Sequence, residues 1–315
     1  MSTATSPFLD RVGAVGGDGV DAPVAAHYGS FNLEQRTLAG GDGFVDLSHR
    51  DVFRVTGPDR LAWLHSLTTQ HLEALPPRTP TQALVLSPQG HVEHHFHGVD
   101  DGEETFLAHT EPGAGAALVR WLDRMRFMMR VEVSLAEELA VTWRPTGGGT
   151  FDVVPRDQLE AYAAAAGPAC GLWAYEALRI ERGEARFGVD TDHRTIPNEA
   201  GWIGSAVHLD KGCYRGQETV ARVHTLGRPP RRLTLLHLDG SENRLPTAGA
   251  DVLHGDKVVG FVGSSARHHE LGPIALAMLK RNVPVDAPLS VEGMPAGQEV
   301  VVDPEVGLHV RPRLR

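Results

Sequence analysis

The pattern of the sequence changes at Pro229-Pro230, and this change restricts the possible folds more than any other feature. After it come six short apolar or alternating runs, separated by Gly, Pro and Asp. Runs with such boundaries are typical of the strands of small β domains. The sequence therefore predicts a C-terminal antiparallel β-barrel over residues 231–315. Its strands are predicted at residues 232–238, 251–253, 257–262, 273–279, 288–291 and 299–302.

The chain before this point combines helical and strand-like patterns. Helices are predicted to begin near Thr56 and to cover residues 113–127, 156–166 and 171–182; in the 113–127 segment, apolar residues recur at helical spacing. Shorter alternating runs predict strands at 83–86, 91–99, 105–109 and 131–143. We therefore expect an α+β domain over residues 26–230. Residues 1–25 are predicted to form a mobile tail, because the first residues are rich in Gly, Ser, Thr and Asp and lack periodicity.

Composition narrows the class of protein. The 315 residues are 41% hydrophobic and 22% charged, which is ordinary for a folded chain. Thirty basic and forty acidic residues give a net charge of −10, which disfavours nonspecific binding to nucleic acid or to an anionic membrane. The sequence has no long apolar run, no signal-peptide pattern and two cysteines. We therefore expect a cytoplasmic protein without a membrane or nucleic-acid partner.

The segment with the most chemical potential is residues 210–218, which read DKGCYRGQE. Glycines on both sides of Cys213 allow the backbone to turn sharply and bring the thiol to a surface. Lys211 and Arg215 would favour the thiolate, which is the nucleophilic and metal-ligating form. Such a thiol is suited to attack on an electrophile, to reversible oxidation or to supplying one ligand of a shared cluster. The alternative is a small buried side chain beside a helix start.

This segment resembles the KGCYxGQE signature of the YgfZ family, folate-binding relatives of the glycine-cleavage T-protein that support iron-sulfur cluster assembly or repair. The wider likeness to the T-protein runs from about Ala26 into the barrel. FVDLSH at residues 44–49 resembles its GLFDVSH strand, and VTGPD at residues 55–59 resembles its VxGxDA. Residues 260–277 resemble its GxVTSG…GxxIALGY segment.

The resemblance implies a fold and a ligand. The fold is a folate-binding domain of two interlocked α+β halves followed by a barrel, the three parts enclosing a channel. The ligand is tetrahydrofolate or a polyglutamylated derivative. Residues 211–232 carry six basic side chains against one acid, Glu218, and guanidinium groups pair well with the carboxylates of a glutamate tail. The alternative for this stretch is a solvated charged loop between domains.

The candidate site follows from the loop, the basic stretch and the resemblance. In the T-protein, the stretch that corresponds to residues 196–200 lines the ligand channel, so Asn198 and Glu199 are expected to hydrogen-bond a pterin edge, or else to cap the loop before Trp202. The candidate catalytic residue is Cys213. The candidate folate-binding residues are Asn198, Glu199, Lys211, Tyr214, Arg215, Gln217, Glu218, Arg222 and Arg228.

The sequence also departs from the T-protein. His94 and His95 stand where the T-protein carries an acidic pair with its catalytic aspartate, and Gly148 stands where its TGEDGFE turn supplies a pterin-binding glutamate. Both differences disfavour aminomethyl transfer of the glycine-cleavage type, which needs a carboxylate to hold a folate nitrogen or move a proton.

Histidines are frequent on the predicted 91–99 strand. His91, Glu93, His95 and His97 would share one face, with neighbours about 6 to 7 Å apart. Adjacent ligands on one strand rarely complete a tetrahedral metal site, so we expect a solvated polar face and no metal. The same interpretation applies to His268 and His269 in the barrel.

Two functions from different classes remain. The preferred interpretation is a folate-binding accessory protein for iron-sulfur cluster assembly or repair, with Cys213 as the working thiol and iron-sulfur client or assembly proteins as partners. The alternative is a folate-dependent aminomethyl or methyl transferase, with His94 or Glu93 replacing the absent aspartate. A third interpretation is a folate sensor in which Cys213 is structural.

Overall fold

The computed structural model describes residues 5–241 and 243–309, which form two compact units. The first unit contains the described residues up to 64, together with 72–82 and 96–178. The second contains residues 65–71 and 83–95 and the described chain from 179 onward. Each unit is therefore built from three separate stretches of chain. The predicted domain boundaries at residues 25 and 230 do not coincide with these units and stay predictions.

The first unit and the elements that continue into the second contain two sheets and five helices within the described residues. In chain order they are β1 (Val15–Gly16), β2 (Ala25–His27), α1 (Phe31–Ala39), β3 (Phe44–Asp46), β4 (Asp51–Thr56), α2 (Arg60–Leu67), β5 (Thr81–Leu86), β6 (Val92–Asp100), β7 (Thr105–Thr110), α3 (Gly115–Arg124), β8 (Glu132–Leu135), β9 (Leu139–Arg144), β10 (Thr150–Pro155), α4 (Leu159–Ala166), β11 (Ala169–Cys170) and α5 (Leu172–Glu181). The β1–β2 ribbon is additional to the two sheets. The division between the units falls within α2, β5, β6 and α5.

One of the two sheets contains a parallel strand pair, and helices pack against the sheets. One has the strand order β10-β9-β3-β11, in which β11 runs parallel to β3. The other has the order β5-β6-β7-β4-β8, and β4 pairs antiparallel with both β7 and β8. Val45 and Trp143 lie opposite each other in the first sheet and are buried with Tyr175 of α5. This is the α+β architecture that the sequence predicts.

The second unit contains helix α6 (Gln217–Leu226) and a six-stranded barrel. The barrel strands are β12 (Arg231–Leu238), β13 (Asp251–His254), β14 (Lys257–His268), β15 (Gly272–Lys280), β16 (Leu289–Val291) and β17 (Met294–Val300). The sheet closes in the order β12-β15-β14-β13-β16-β17, and every neighbouring pair is antiparallel. The predicted C-terminal antiparallel barrel is confirmed.

Two strand predictions differ from the structure in an informative way. The predicted 131–143 strand is two strands, β8 and β9, in different sheets, because a turn closed by the Leu139 amide on the Ala136 carbonyl redirects the chain. The last strand covers Met294–Val300 rather than residues 299–302. Pro295 and Gly297 are unfavourable in strand interiors, so the sequence pattern does not indicate this strand, although both residues pair in the barrel.

The predicted tail over residues 1–25 is ordered in its described part, so that expectation is wrong there; residues 1–4 lie outside the described residues. Pro7–Asp10 forms a 3-10 helix whose first turn is capped by Ser6, and β1 pairs with β2. Phe8 is fully buried against Phe44. The Ser6 cap, the β1–β2 pairing and the buried Phe8 together order this segment, which periodicity does not reveal.

None of the helices in the described part of the chain has the length and apolar character needed to cross a membrane.

Candidate functional site

The loop of residues 211–216 presents an exposed thiol. Cys213 is exposed, whereas Lys211 and Tyr214 on either side of it are buried. Gly212 and Gly216 have φ values of +94° and +78°, a region that favours glycine. A Cβ on Gly216 would lie 2.5 Å from the carbonyl oxygen of Ser87, so this position requires glycine for space as well. The sequence prediction of a glycine-bracketed, reachable Cys213 is confirmed.

Lys211 points inward and is not available as a surface cation. Its Nζ donates to the carbonyl oxygen of Thr68 at 2.7 Å and to that of His65, and it lies 5.0 Å from the centre of the Tyr214 ring. Burial lowers the pKa of Lys211 to about 8, and the nearby Cys213 acts in the opposite direction. Burial also raises the pKa of Tyr214 to about 12. Both residues therefore anchor the loop beneath the thiol.

The loop leads into α6 and is tied to β6. Arg215 donates to the Glu93 carboxylate at 3.0 Å, and both side chains are about one-third exposed. Gly90 lies against α6, because a Cβ on it would come within 2.7 Å of the Thr219 side chain. At the start of α6, Gln217 is half-buried and Glu218 is exposed.

A cleft of about 540 Å³ lies in the same unit as this loop. It is lined by Val92 and Glu93 of β6 and, from the loop after α5, by Phe187, Thr191, Asp192 and His193. A volume of this size is typical of small-molecule sites. Since Glu93 both lines the cleft and pairs with Arg215, the Cys213 loop and the cleft wall are directly connected.

Arg231 closes a carboxylate network beside the cleft. Its guanidinium donates to both oxygens of Asp192, at 2.7 and 3.0 Å, and to both oxygens of Glu199, at 3.0 and 2.8 Å. Although burial acts to raise it, the pKa of Asp192 is held well below its ordinary value by hydrogen bonds from Arg231 and Thr195. Glu199, only 1% exposed, also accepts from the Ile196 amide at 3.1 Å. Glu199 is thus committed to structure on most of its acceptor sites.

Asn198 differs from its neighbour. Its side chain is buried, and its Oδ1 has no hydrogen-bond partner among the residues that the structure describes. A buried acceptor of this kind is uncommon in a folded protein. Of the two predicted pterin-binding residues, Asn198 therefore has an unused acceptor, whereas most acceptor sites of Glu199 are occupied.

The basic stretch 211–232 is only partly a cationic surface. Besides Lys211, Arg232 is buried and donates to Gln298 at 2.9 Å, whereas Arg231 is half-buried and held by Asp192 and Glu199. Arg228 is exposed and lies 3.3 Å from Glu305. Arg222 is exposed on α6 and has no ion-pair partner within the described ranges. Three of the six basic side chains are therefore not available, because Lys211 and Arg232 are buried and Arg231 is bound by Asp192 and Glu199; binding of a folate tail by Arg222 and Arg228 stays a prediction.

The histidines of β6 do not form the solvated face expected from the sequence. His95 is buried against Trp202, with ring centres 5.0 Å apart, and His97 stacks on His109 at 5.3 Å. His268 is also buried, next to Glu181. Strand alternation alone does not show what packs on a face. Within residues 5–241 and 243–309, no three His, Cys, Asp or Glu side chains are arranged to hold a metal ion.

The positions that differ from the T-protein are consistent with a changed site. His94 is half-buried, and burial lowers its pKa to about 4, so it is neutral at pH 7. Gly147, Gly148 and Gly149 all have positive φ, and a Cβ on Gly148 would meet nothing within 4 Å.

Cys170 is buried, and burial raises the pKa of its thiol to about 12. The two cysteines therefore differ in exposure, since Cys213 is exposed and Cys170 is buried.

Asp192, Arg231 and Phe187 were not among the predicted site residues. Asp192 and Arg231 are 39 residues apart in the chain, and no local pattern links them. The signal that was present is the pair of acids in the Asp190-Thr191-Asp192 segment, in the loop after α5.

Comparisons with known proteins agree with this architecture. The chain is 26% identical to the aminomethyltransferase of Nostoc sp. over 331 aligned positions, covering 87% of this chain and 86% of that protein. It is 27% identical to the aminomethyltransferase of Rippkaea orientalis, covering 82% and 84%. A solved structure, glycine cleavage system aminomethyltransferase T from Bartonella henselae, matches with a TM-score of 0.81 over 97% of this chain and 98% of that chain, at 18% identity.

These likenesses support the T-protein-like superfamily, and the solved structure shows the fold. No protein-family model matches the chain. The finer resemblance to the YgfZ family stays a prediction that depends on the Cys213 loop.

Proposed function

We propose that this chain binds tetrahydrofolate and supports iron-sulfur enzymes through the exposed thiol of Cys213. The observation that carries the proposal is the loop itself: an exposed cysteine held between two buried anchors, in a segment that matches the YgfZ signature. A buried structural cysteine would not need this arrangement, and Cys170 shows what such a cysteine looks like in the same chain. A thiol that is reachable by a partner is the requirement for redox or ligand chemistry.

The residues of the second unit fit a folate. The cleft has the volume of a small-molecule site, and the flat pterin ring needs both donors and acceptors. Asn198, which is not among the residues that line the cleft, would offer its unused Oδ1, while the exposed Arg222 and Arg228 would pair with an anionic tail. When bound, tetrahydrofolate supplies a nitrogen-based carrier of one-carbon groups. Glu199 would act indirectly, because Arg231 already occupies its carboxylate.

A second candidate is a folate-dependent aminomethyltransferase, and the names of the relatives favour it. Against it stand three positions of this chain. His94 and His95 replace the acidic pair, and His94 is neutral at pH 7; Gly148 offers no side chain where the T-protein has a glutamate. Losing a positioned acid or base costs about 10² to 10⁴ in rate. Efficient glycine cleavage is therefore not expected.

Three measurements separate the candidates. Anaerobic calorimetry with tetrahydrofolate tests the ligand, and no binding would refute the shared part of both candidates. Reconstitution with the other glycine-cleavage components tests the transferase, and turnover comparable with a T-protein would favour it. Complementation of iron-sulfur enzyme activity in a strain lacking the native protein tests the thiol. Cys213→Ser should fail to complement, Cys170→Ala should succeed, and success of both would remove the role of Cys213.

The iron-sulfur client or assembly proteins remain part of this proposal. A reducing cytoplasm is the compartment in which an unpaired, exposed cysteine would persist, and both cysteines are unpaired in the structure.

A further inference from the structure

The anchoring of the Cys213 loop is more elaborate than an exposed cysteine requires. Lys211 is 6% exposed. Its ammonium donates hydrogen bonds to the backbone carbonyls of His65 and Thr68, which are 146 and 143 residues away in the chain. Burying an ammonium is costly, and the cost is offset only where hydrogen bonds and favourable charge contacts replace water. A lysine is thus held in the interior directly beside an exposed thiol.

The segment that receives Lys211 is itself well fixed. The His208 amide donates to the Thr69 carbonyl at 3.0 Å, and the Thr69 hydroxyl donates to the Ala206 carbonyl at 2.7 Å. The Gln70 amide group donates to the Ser205 carbonyl at 2.9 Å. Residues 65–71, called the platform below, are therefore held in place by hydrogen bonds. Lys211 binds to this fixed segment rather than to a mobile turn.

The second anchor contacts the first. The Tyr214 ring is buried 5.0 Å from the Lys211 ammonium, a distance at which a cation is attracted to an aromatic face. Side chains 211 and 214 thus meet beneath the backbone that carries Cys213. An added Cβ at Gly212, between them, would meet no atom within 4 Å, so this part of the loop faces open space. The two anchors hold the part of the loop that carries Cys213, while Arg215 and Gly216 hold its end next to α6.

We propose that Lys211 is a positioning residue for the Cys213 thiol: its ammonium joins the loop to the backbone of residues 65–68 and to the Tyr214 ring, and so fixes the direction in which the thiol faces solvent. This inference rests on the proposed function for the importance of the thiol. The contacts of Lys211 to residues 65–68 and to Tyr214, called the clamp below, do not depend on that function. A partner that approaches Cys213 meets one orientation of the thiol rather than an ensemble.

A nitroxide spin label attached to Cys213 reports the motion of the loop by electron paramagnetic resonance. Lys211→Met removes the charged donor, and because a hydrogen bond to a charged group corresponds to about tenfold or more in an equilibrium constant, the ratio of mobile to immobile label should rise by about that factor. Lys280→Met is the matched control, since Lys280 donates to a single carbonyl, that of Val258, on an exposed surface. Cys213→Ser should take up no label, which shows that Cys170 is silent.

Rescue distinguishes a clamp from general loosening. Lys211→Ala lacks the atoms of propylammonium, so added propylammonium should restore the immobile spectrum, whereas 1-propanol of the same shape should not. Lys211→Arg should retain most of the immobile component, because it keeps a buried cation and several donors. Should the Lys211 variants lose their circular dichroism, Tyr214→Leu removes the second anchor and should produce the same mobile component in a folded protein.

An unchanged spectrum in folded Lys211→Met, or equal rescue by propylammonium and propanol, would overturn the clamp. The two proposals fail separately. If Cys213→Ser complements fully while Lys211→Met frees the label, the clamp stands and the thiol function is wrong. If Cys213→Ser fails to complement and Lys211→Met complements fully with an immobile label, the thiol function stands and the positioning role is wrong.

Discussion

Removal of the Arg231 guanidinium should destabilise the second unit strongly. Among the residues that the structure describes, Arg231→Met would leave the carboxylate of Glu199, which is 1% exposed, with only the Ile196 amide at 3.1 Å as a donor. Removing one partner of a buried ion pair costs about 3 to 5 kcal/mol. Asp192 has a side chain that is 32% exposed and can be hydrated, so its lost pairing adds only about 0 to 1 kcal/mol. We therefore expect the free energy of unfolding to fall by about 3 to 6 kcal/mol.

The double variant Arg231→Met/Glu199→Met provides the decisive comparison. It leaves no unpaired buried charge, and apolar replacements of a buried pair are often neutral, so most of the lost stability should return. Urea unfolding followed by circular dichroism measures all variants, with Arg222→Met as an exposed control that should stay within about 0.5 kcal/mol of the wild type. A single variant that loses less than about 1 kcal/mol, well below the cost of breaking a buried pair, would refute the reasoning. So would a double variant as unstable as the single one.

Three further outcomes are expected. In the native protein, iodoacetamide should label Cys213 and spare Cys170, whose pKa burial raises to about 12; faster labelling of Cys170, read by mass spectrometry, would contradict this. Gly90→Ala should lower stability in urea by about 1 to 3 kcal/mol, because φ is +84° and the new Cβ would lie 2.7 Å from Thr219; a neutral result would show that α6 can shift. Because the pKa of Asp192 is held below its unfolded value near 4, its stabilising contribution is present above that pH and is lost on acidification, so the stability difference between wild type and Asp192→Asn should shrink below about pH 4.

The sequence pattern predicted the barrel strands and the exposed Cys213 loop. The barrel follows from short apolar runs punctuated by turn residues, and the exposure of Cys213 follows from the glycines that bracket it. Gly212 and Gly216 both adopt the positive φ for which glycine is suited. In these places short runs of neighbouring residues are enough to predict the strands and the exposed loop, although pairing of β12 with β17 and the contacts of Lys211 to residues 65–68 complete the structure.

Contacts between distant stretches explain what the sequence did not reveal. Arg231 reads as one of six available cations, yet its partners Glu199 and Asp192 lie 32 and 39 residues earlier in the chain. Phe8 reads as part of a polar tail, yet Phe44 and the β-sheet give it a buried position. Whether a charge or a ring is buried depends on tertiary packing, which residue types and spacing do not encode directly.

The three-stretch construction of the second unit has a consequence for its synthesis. Residues 65–71 and 83–95 leave the ribosome long before Lys211, and the contact from Lys211 to His65 spans 146 residues. Domains fold during translation only once their sequence has emerged, at about 5 to 20 residues per second. The platform for the thiol loop must therefore wait about 7 to 30 seconds for its clamp. Over this interval the nascent chain exposes carbonyls and apolar strands that later become interior, so chaperone dependence should be concentrated in this part of the molecule.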